Sequence, residues 1–443
     1  MVAVLLFGSC SQNTGPANKT GQFRIIQLDP THGHAAAAQG EHLDGVDTDV
    51  YVYAPDKEAV VPYLDQINSF NTRKETPTKW KEVTYFGNDY LQKMAQEKKG
   101  NVVVLAGNNR LKIEYIEQSV NAGMNVFSDK PMVINPAGFE RLKNVYRIAS
   151  EKGLLLFDMM TERYTLLNRI QKSLMQDTLL FGHLLTGTAD HPSVMESSVH
   201  HYYRGGKGTR PAWYFDVLQQ GEGIVDVTTH LIDLSFWKSF PGQSINYQND
   251  VKVIFAKHWP VTITKSEFCA TTSLKEIPSS LSPYLKDSTL EVYANGSITY
   301  QVKGVYTCAN VEWRAATPPG GNDLRNAYAE GTKSAVLIQQ EFGQKSPKLC
   351  VQKGDKVSET DFRAALSTTM ARLQNEYPGL SFSGEGKTVQ IILPTELKNS
   401  HDPTFKVFVG YLINKDMPKW EVPNTLAKYY ITTTAFEMAN GKK

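Results

Sequence analysis

Between Gln22 and Asp158 the chain alternates short apolar runs with helical segments, and no other feature limits its fold so strongly. The apolar runs are Phe23 to Leu28, Asp49 to Ala54, Asn101 to Ala106, Asn125 to Ser128 and Leu154 to Asp158; helices are expected from Ala35, over Lys112 to Ala122 and over Gly138 to Lys152. Strands separated by helices cannot pair as hairpins, so this part is expected to be a parallel, doubly wound α/β sheet. Ligands of such sheets bind beyond the carboxyl ends of the strands. The turns that fall there are Asp29-Pro30-Thr31-His32-Gly33-His34, Pro55-Asp56, Gly107-Asn108-Asn109 and Asp129-Lys130-Pro131. Gly33 alone stands where a dinucleotide fingerprint has three glycines, and it suits close approach of a pyrophosphate to a helix N-terminus. Asp56 lies where an acidic side chain can bind a ribose hydroxyl, and it can equally cap the helix that follows Pro55.

After about residue 160 the pattern becomes that of an α+β domain on a mostly antiparallel, open sheet. Strands are expected at 182–187, 197–203 and 251–256, in a hairpin from Leu290 to Val302 turning at Asn295-Gly296, and at 306–313, 335–340, 389–393 and 406–412. Helices are expected from Thr161 to Met175, from Asp226, from Asp361 to Glu376 and from Asn424 to Ala439. The expected units are a leader at 1–21, a first domain at 22–160 and a second at 161–443.

Within the second unit, Gly221-Glu222-Gly223 runs into a helix that is apolar nearly all round yet carries Asp226 and His230. Residues four apart share a helix face, so the two can address one point. A histidine there can pass a proton near neutral pH while Asp226 orients its ring. The alternative is an N-cap aspartate beside a satisfied core histidine. No other His or Cys lies at ligand spacing in this stretch, so no metal is expected.

Lys plus Arg number 47 against 45 Asp plus Glu, so no field favours nucleic acid. The start, Met1 to Ser11, is a short apolar run ending in small residues and Cys10, similar to a lipoprotein signal. It is expected that Cys10 is lipidated, that Ser11 to Gly21 is a tether, and that the protein sits in the periplasm or cell envelope. No other run approaches the about 20 apolar residues of a spanning helix. Cys269, Cys308 and Cys350 remain, with no C-x-x-C spacing, and their pairing is open.

Three segments together resemble the glucose-fructose oxidoreductase and inositol dehydrogenase family, Gfo/Idh/MocA, in a lipoprotein-like form with a variant C-terminal domain. They are the N-terminal alternating run; Ala122-Gly123-Met124-Asn125-Val126-Phe127-Ser128-Asp129-Lys130-Pro131, similar to A-G-K-H-V-x-x-E-K-P with Asp129 for Glu; and Gly221 to His230, similar to G-G-G-x-x-x-D-x-G-x-H with Glu222 and Thr228 for glycines. The resemblance implies a Rossmann domain holding NAD or NADP, tightly bound if the protein is exported. Asp29, Thr31, His32, Gly33, His34, Asp56, Gly107, Asn108, Asn109, Lys130 and Pro131 would face the cofactor. It implies catalytic roles for Lys130, Asp226 and His230: His230 as base, Lys130 polarising a hydroxyl, Pro131 fixing the turn. No Arg follows the second strand, which favours NAD.

The implied reaction is hydride transfer to or from a hydroxyl-bearing carbon of a sugar, glycoside or polyol. His201, Tyr203, Arg210 and Trp213 are the candidate substrate residues, His201 and Tyr203 sharing one strand face by alternation. Glu162-Arg163-Tyr164 at the domain junction can also reach the site. Two rivals remain open: a glycosidase working through transient oxidation, and a non-catalytic glycan-binding lipoprotein. The open sheet suggests homodimers or tetramers by analogy with the family.

Overall fold

The computed structural model describes residues 21–205, 209–317, 322–394 and 403–441. Cys10 and the expected tether, apart from Gly21, lie outside these residues. No described helix is long and apolar enough to cross a membrane.

The first part contains β1 (Ile25–Leu28), β2 (Asp49–Ala54), α1 (Val61–Thr72), β3 (Lys81–Phe86), α2 (Tyr90–Glu97), β4 (Val102–Leu105), α3 (Asn109–Asn121), β5 (Asn125–Asp129), α4 (Pro136–Glu151) and β6 (Leu156–Met159). The strands form one all-parallel sheet in the order β3-β2-β1-β4-β5-β6. β1 and β4 are buried on both faces because helices cover both. Ile26, Val103 and Leu105 face α3 and α4, while Ile25, Val102 and Val104 face α1. The strand order reverses between β1 and β4, so the crevice at their carboxyl ends is the natural ligand position.

The second part contains α5 (Leu166–Met175), β7 (Val194–Tyr203), α6 (Val217–Gln220), α7 (Thr228–Ser239), β8 (Val251–Thr264), α8 (Lys265–Thr272), β9 (Leu285–Lys286), β10 (Thr289–Val302), β11 (Val305–Ala316), β12 (Leu324–Glu330), β13 (Ser334–Gln339), β14 (Lys348–Lys353), α9 (Glu359–Leu373), β15 (Ser381–Ser383), β16 (Thr388–Ile392), α10 (Thr404–Asn414) and α11 (Glu421–Ala439). Its sheet runs β15-β16-β14-β13-β12-β7-β11-β10-β8, with β9 beside β10. All neighbours are antiparallel except β7 and β11. Helices α5, α7, α9 and α11 pack on one face. The other face is open, with Phe255 and Trp259 exposed on β8.

Several sequence expectations need correction. Residues 182–187 make only isolated bridges at Leu184 and Gly187. Asn295-Gly296 does not turn a hairpin: β10 runs through it, and the turn falls at Lys303-Gly304, where both residues have positive φ. Asn-Gly instead marks a register shift at which Asn295 Oδ1 accepts from Trp313 N at 2.6 Å, replacing a ladder bond. A Cβ at Gly296 would lie 2.9 Å from Ile224, and one at Gly223 1.7 Å from the Ala294 carbonyl oxygen. The two glycines therefore let the Gly221–Gly223 turn lie directly on β10.

Residues 406–412, expected as a strand, belong to α10: Phe405, Phe408 and Val409 follow the helical period and fill the core beside α1. Helix α10, far along the chain, thus completes the first sheet's core. Helix α11 lies between the two parts, with Tyr429 in one core and Ala427, Ile431 and Ala435 in the other.

Buried charge locks the two parts together. Lys428 on α11 bridges Asp158 on β6, at 2.8 Å, and Asp233 on α7, at 3.2 Å. Arg163 clasps Asp233 through two 2.6 Å bonds and reaches Glu421 at 2.8 Å. Arg163 therefore holds α7 against the first sheet instead of entering the site, and Glu162 pairs with Arg325 at 2.5 Å.

Candidate active site

The carboxyl end of β5 delivers Asp129 and Lys130, and the Lys130–Pro131 bond is cis. Opposite it, the turn after Gly221 delivers Asp226, and the first turn of α7 delivers His230. Lys130 Nζ donates to Asp226 Oδ1 at 2.6 Å, and Gln220 Nε2 donates to Asp226 Oδ2 at 2.8 Å. Asp226 therefore positions the lysine, not the histidine. The expected Asp226-to-His230 orientation fails because Asp226 precedes the regular helix, so the i, i+4 geometry does not apply. Burial works to lower the Lys130 pKa, and Asp226 with Asp129 more than reverses it, so the ammonium is held above its ordinary range.

His230 is buried and its Nδ1 has no hydrogen-bond partner among the described residues. Burial first, then the nearby Lys130 charge, hold the imidazole pKa well below its usual value. A neutral ring with an unused nitrogen is thus set beside a fixed cation.

The loop after β1 closes the crevice. Asp29 sits at φ 49 and accepts from Tyr115 OH at 3.0 Å. Thr31 N and His32 N both donate to Ala106 O at 3.1 Å, tying the loop to the end of β4. A Cβ on Gly107 would lie 2.5 Å from Asp29 O, so only glycine fits; at Gly33 it would meet nothing within 4 Å, which leaves that backbone open to a ligand. His32 and His34 point Nδ1 at Asp129, at 3.1 and 3.0 Å. Burial works against the Asp129 charge, and the two imidazoles more than reverse it, holding the carboxyl well below its usual range. Asn108 caps α3 and donates to Gln219 Oε1 at 2.8 Å, while Asn109 donates to Gln220 O at 2.7 Å. Both asparagines thus tie the first part to the segment before Asp226. Asp56 is exposed at the end of β2, one oxygen accepting from Glu58 N at 3.1 Å.

A cavity of about 210 Å³ opens between this loop and the segment before α6, lined by Thr31, His32, Tyr202, Arg204, Arg210 and Trp213 among others. Arg210 and Trp213 thus reach the crevice; His201 and Tyr203 do not line it. Alternation along β7 turns Tyr202 to the helix-covered face, where it packs on Phe215 and Trp313, and His201 to the other. His201 is buried against Asp323, its Nδ1 3.0 Å from Oδ1. Arg210 donates to the carbonyls of His201 and Tyr202 and stacks over Tyr214.

Sequence reasoning missed Lys112 and Gln220. Lys112 is fully buried beneath Lys130, donating to Asn109 Oδ1 at 2.7 Å and to Lys130 O at 3.4 Å. Burial pushes its ammonium down to about 8. Its signal was a lysine at position i of an α3 face that continues with the buried Tyr115, Ile116 and Ser119. Glu222, which stands in a glycine position of the motif, is paired with His258 Nδ1 at 2.5 Å.

Residues 51–158 match the family model described as "Oxidoreductase family, NAD-binding Rossmann fold", and residues 170–440 match "Putative oxidoreductase C terminal domain". A structure described as a "putative oxidoreductase" from Parabacteroides merdae ATCC 43184 is 41% identical, with 96% of this chain and 99% of that one covered and a TM-score of 0.93. A 3-ketoreductase from Actinomadura kijaniata in complex with NADP and TDP-benzene is similar over 95% of this chain and 97% of its own, at 12% identity and a TM-score of 0.56. A protein of gentamicin A biosynthesis in complex with NAD is similar over 100% and 98%, at 15% identity and a TM-score of 0.59. At the two lower identities the likeness is one of fold. No curated protein matches the chain.

Proposed function

The chain belongs to the Gfo/Idh/MocA oxidoreductase family, and on that footing we propose that it moves a hydride between NAD and a hydroxyl-bearing carbon of a sugar, glycoside or polyol. The observation that carries this reading is the buried, unpartnered His230 Nδ1 beside the Lys130 ammonium. Buried polar atoms without partners are rare, and this one lies within reach of the Lys130 charge, where the chemistry of a bound ligand would use it.

The crevice fits a dinucleotide. Gly33 leaves its backbone uncovered, Gly107 allows the β1 and β4 loops to touch, and Asp56 keeps one carboxylate oxygen for a ribose diol. An exposed carboxylate there repels a 2'-phosphate, which favours NAD over NADP. When bound, the nicotinamide would accept the hydride from the substrate carbon or return it. Lys130, with one N–H engaged by Asp226, offers its others to the substrate oxygen and favours the alkoxide. His230, neutral at physiological pH, takes the hydroxyl proton as the C–H electron pair leaves. Gln220 and Asp226 fix where the ammonium stands. Trp213 offers aromatic surface to C–H groups and Arg204, paired with Asp323, a cationic donor to oxygens, which suits a polyhydroxylated substrate. The fold likeness to a 3-ketoreductase supports alcohol–ketone interconversion.

The test is a carbohydrate panel with NAD and NADP, read for nicotinamide reduction and for released monosaccharide. Lys130→Met and His230→Asn are expected to lower kcat by about a hundredfold or more while leaving NAD affinity within a few-fold of the parent. Turnover that survives both substitutions would sink the assignment; sugar release without net reduction would identify the glycosidase route. The lipobox-like context of Cys10 supports an envelope location, where the dinucleotide would stay bound between turnovers. Denatured, purified protein should then yield nicotinamide by mass spectrometry.

A further inference from the structure

His32, His34 and Asp129 converge at the ends of β1 and β5, and the hydride chemistry above uses neither imidazole and uses Asp129 only through its charge on Lys130. Each imidazole Nδ1 addresses its own oxygen of the one carboxylate, at 3.1 and 3.0 Å, and the donor atoms of the three residues lie within 4.8 Å of one another. Nitrogen and oxygen ligands sit about 2.0 to 2.2 Å from zinc, which places neighbouring ligands roughly 3 to 3.5 Å apart. The observed spacing is that of groups able to share an ion after small adjustments.

The charge around Asp129 points the same way. Its side chain is 3% exposed, and among the described residues no lysine or arginine pairs with it: Lys130 is committed to Asp226 and Lys112 to Asn109. A buried carboxylate needs a proton donor or a cation. The imidazoles can supply the former, or they can turn two lone pairs to a metal that supplies the latter. The positions are rigid, since the β1 loop is bonded to Ala106 O and Asp129 ends a strand. The imidazoles are about a third exposed, at 34% and 36%, and His32 lines the cavity, so a fourth ligand has access.

We propose that His32, His34 and Asp129 form a site for a divalent transition-metal ion whose remaining coordination positions open onto the cavity that His32 lines. Two imidazoles and one carboxylate suit zinc and its neighbours better than magnesium or calcium, which prefer all-oxygen sets. Three protein ligands with a vacant place are the arrangement of reactive, not structural, zinc. The ligand completing the shell is an oxygen of whatever occupies the cavity. The inference does not rest on the redox reading.

The test is calorimetric titration of the metal-stripped full chain with zinc chloride, without nicotinamide, followed by metal analysis after gel filtration. One zinc per chain is expected, with proton release that depends on buffer and pH. His32→Gln and His34→Gln should each weaken binding by about tenfold or more, Asp129→Asn likewise, and His191→Gln, an exposed histidine elsewhere, should not. The two histidine variants, at partly exposed positions, are expected to melt like the parent, so the result does not depend on Asp129→Asn folding. Absence of saturable zinc binding, or binding that His32→Gln and His34→Gln leave unchanged, overturns the site. NAD binding, followed separately by fluorescence, decides the redox reading independently.

Discussion

The Lys130–Asp226 pair offers the sharpest test of how the crevice is built, through Asp226→Asn. At 2.6 Å and an effective dielectric of about 20, the gross attraction is about 6 kcal/mol. Desolvation of two buried charges offsets most of it, so the pair's net worth is near zero. Removing one charge is another matter, because the Lys130 ammonium, 12% exposed, stays behind without its counter-charge. The loss from breaking a buried pair this way is about 3 to 5 kcal/mol. Asn keeps the shape and one acceptor, so the loss reports charge; Asp226→Ala should cost somewhat more. The sign with pH follows. In the parent the folded Lys130 pKa is raised, so its contribution is complete below lysine's ordinary value and fades only as the pH rises through the folded one. In the variant the buried ammonium keeps only the nearby Asp129 charge, so its pKa falls below the parent's raised value and the destabilisation should shrink as pH rises from neutral into the alkaline range. Guanidinium unfolding of parent, Asp226→Asn and the double variant Lys130→Met/Asp226→Leu across that range is the assay. The double variant should recover most of the loss. A single variant within about 1 kcal/mol of the parent, or a gap independent of pH, would refute the buried-pair argument.

Other outcomes follow from the same geometry. Burial lowers the folded Lys112 pKa to about 8 from 10.5, a cost of about 3 kcal/mol that is complete below the folded value and disappears as pH rises past the unfolded one. Parent stability should therefore climb across that window, and Lys112→Met should abolish the climb; an unchanged pH profile would count against it. Gly223→Ala puts a Cβ 1.7 Å from Ala294 O and should cost about 3 kcal/mol or leave the protein insoluble, whereas a normal melting curve would show that the turn does not lie on β10. Asp56→Arg should move cofactor preference from NAD towards NADP, measured as the ratio of the two kcat/KM values; an unchanged ratio would remove Asp56 from the ribose site. We also propose that copies pair through the open sheet face, so Phe255→Asp with Trp259→Asp should reduce the mass seen by light scattering.

The local periodicity of the chain determined much on its own. Runs such as Val102 to Leu105, apolar on both faces and alternating with helices, fit interior parallel strands, and the turns following such strands meet at one edge, which groups Lys130 with the Asp29–His34 loop. The pairing of Asp226 was not legible. Spacing along one helix favoured His230, yet helix α7 starts only at Thr228, and a lysine almost a hundred residues upstream takes the carboxylate. Alternation divided the faces of β7 correctly, but which face looks into the crevice depends on where α7 and Trp313 pack, so Tyr202 replaces His201 and Tyr203. Asn295-Gly296 and residues 406–412 were misread for a related reason. A turn signal yields to a strand that another segment must touch, and a short apolar run carries no partner information. Sequence sets what each segment can be, because steric and hydrophobic periodicities are local. Only the tertiary structure decides which charges meet, because burial makes an unpaired ion so costly that the nearest partner in space, not in sequence, takes it.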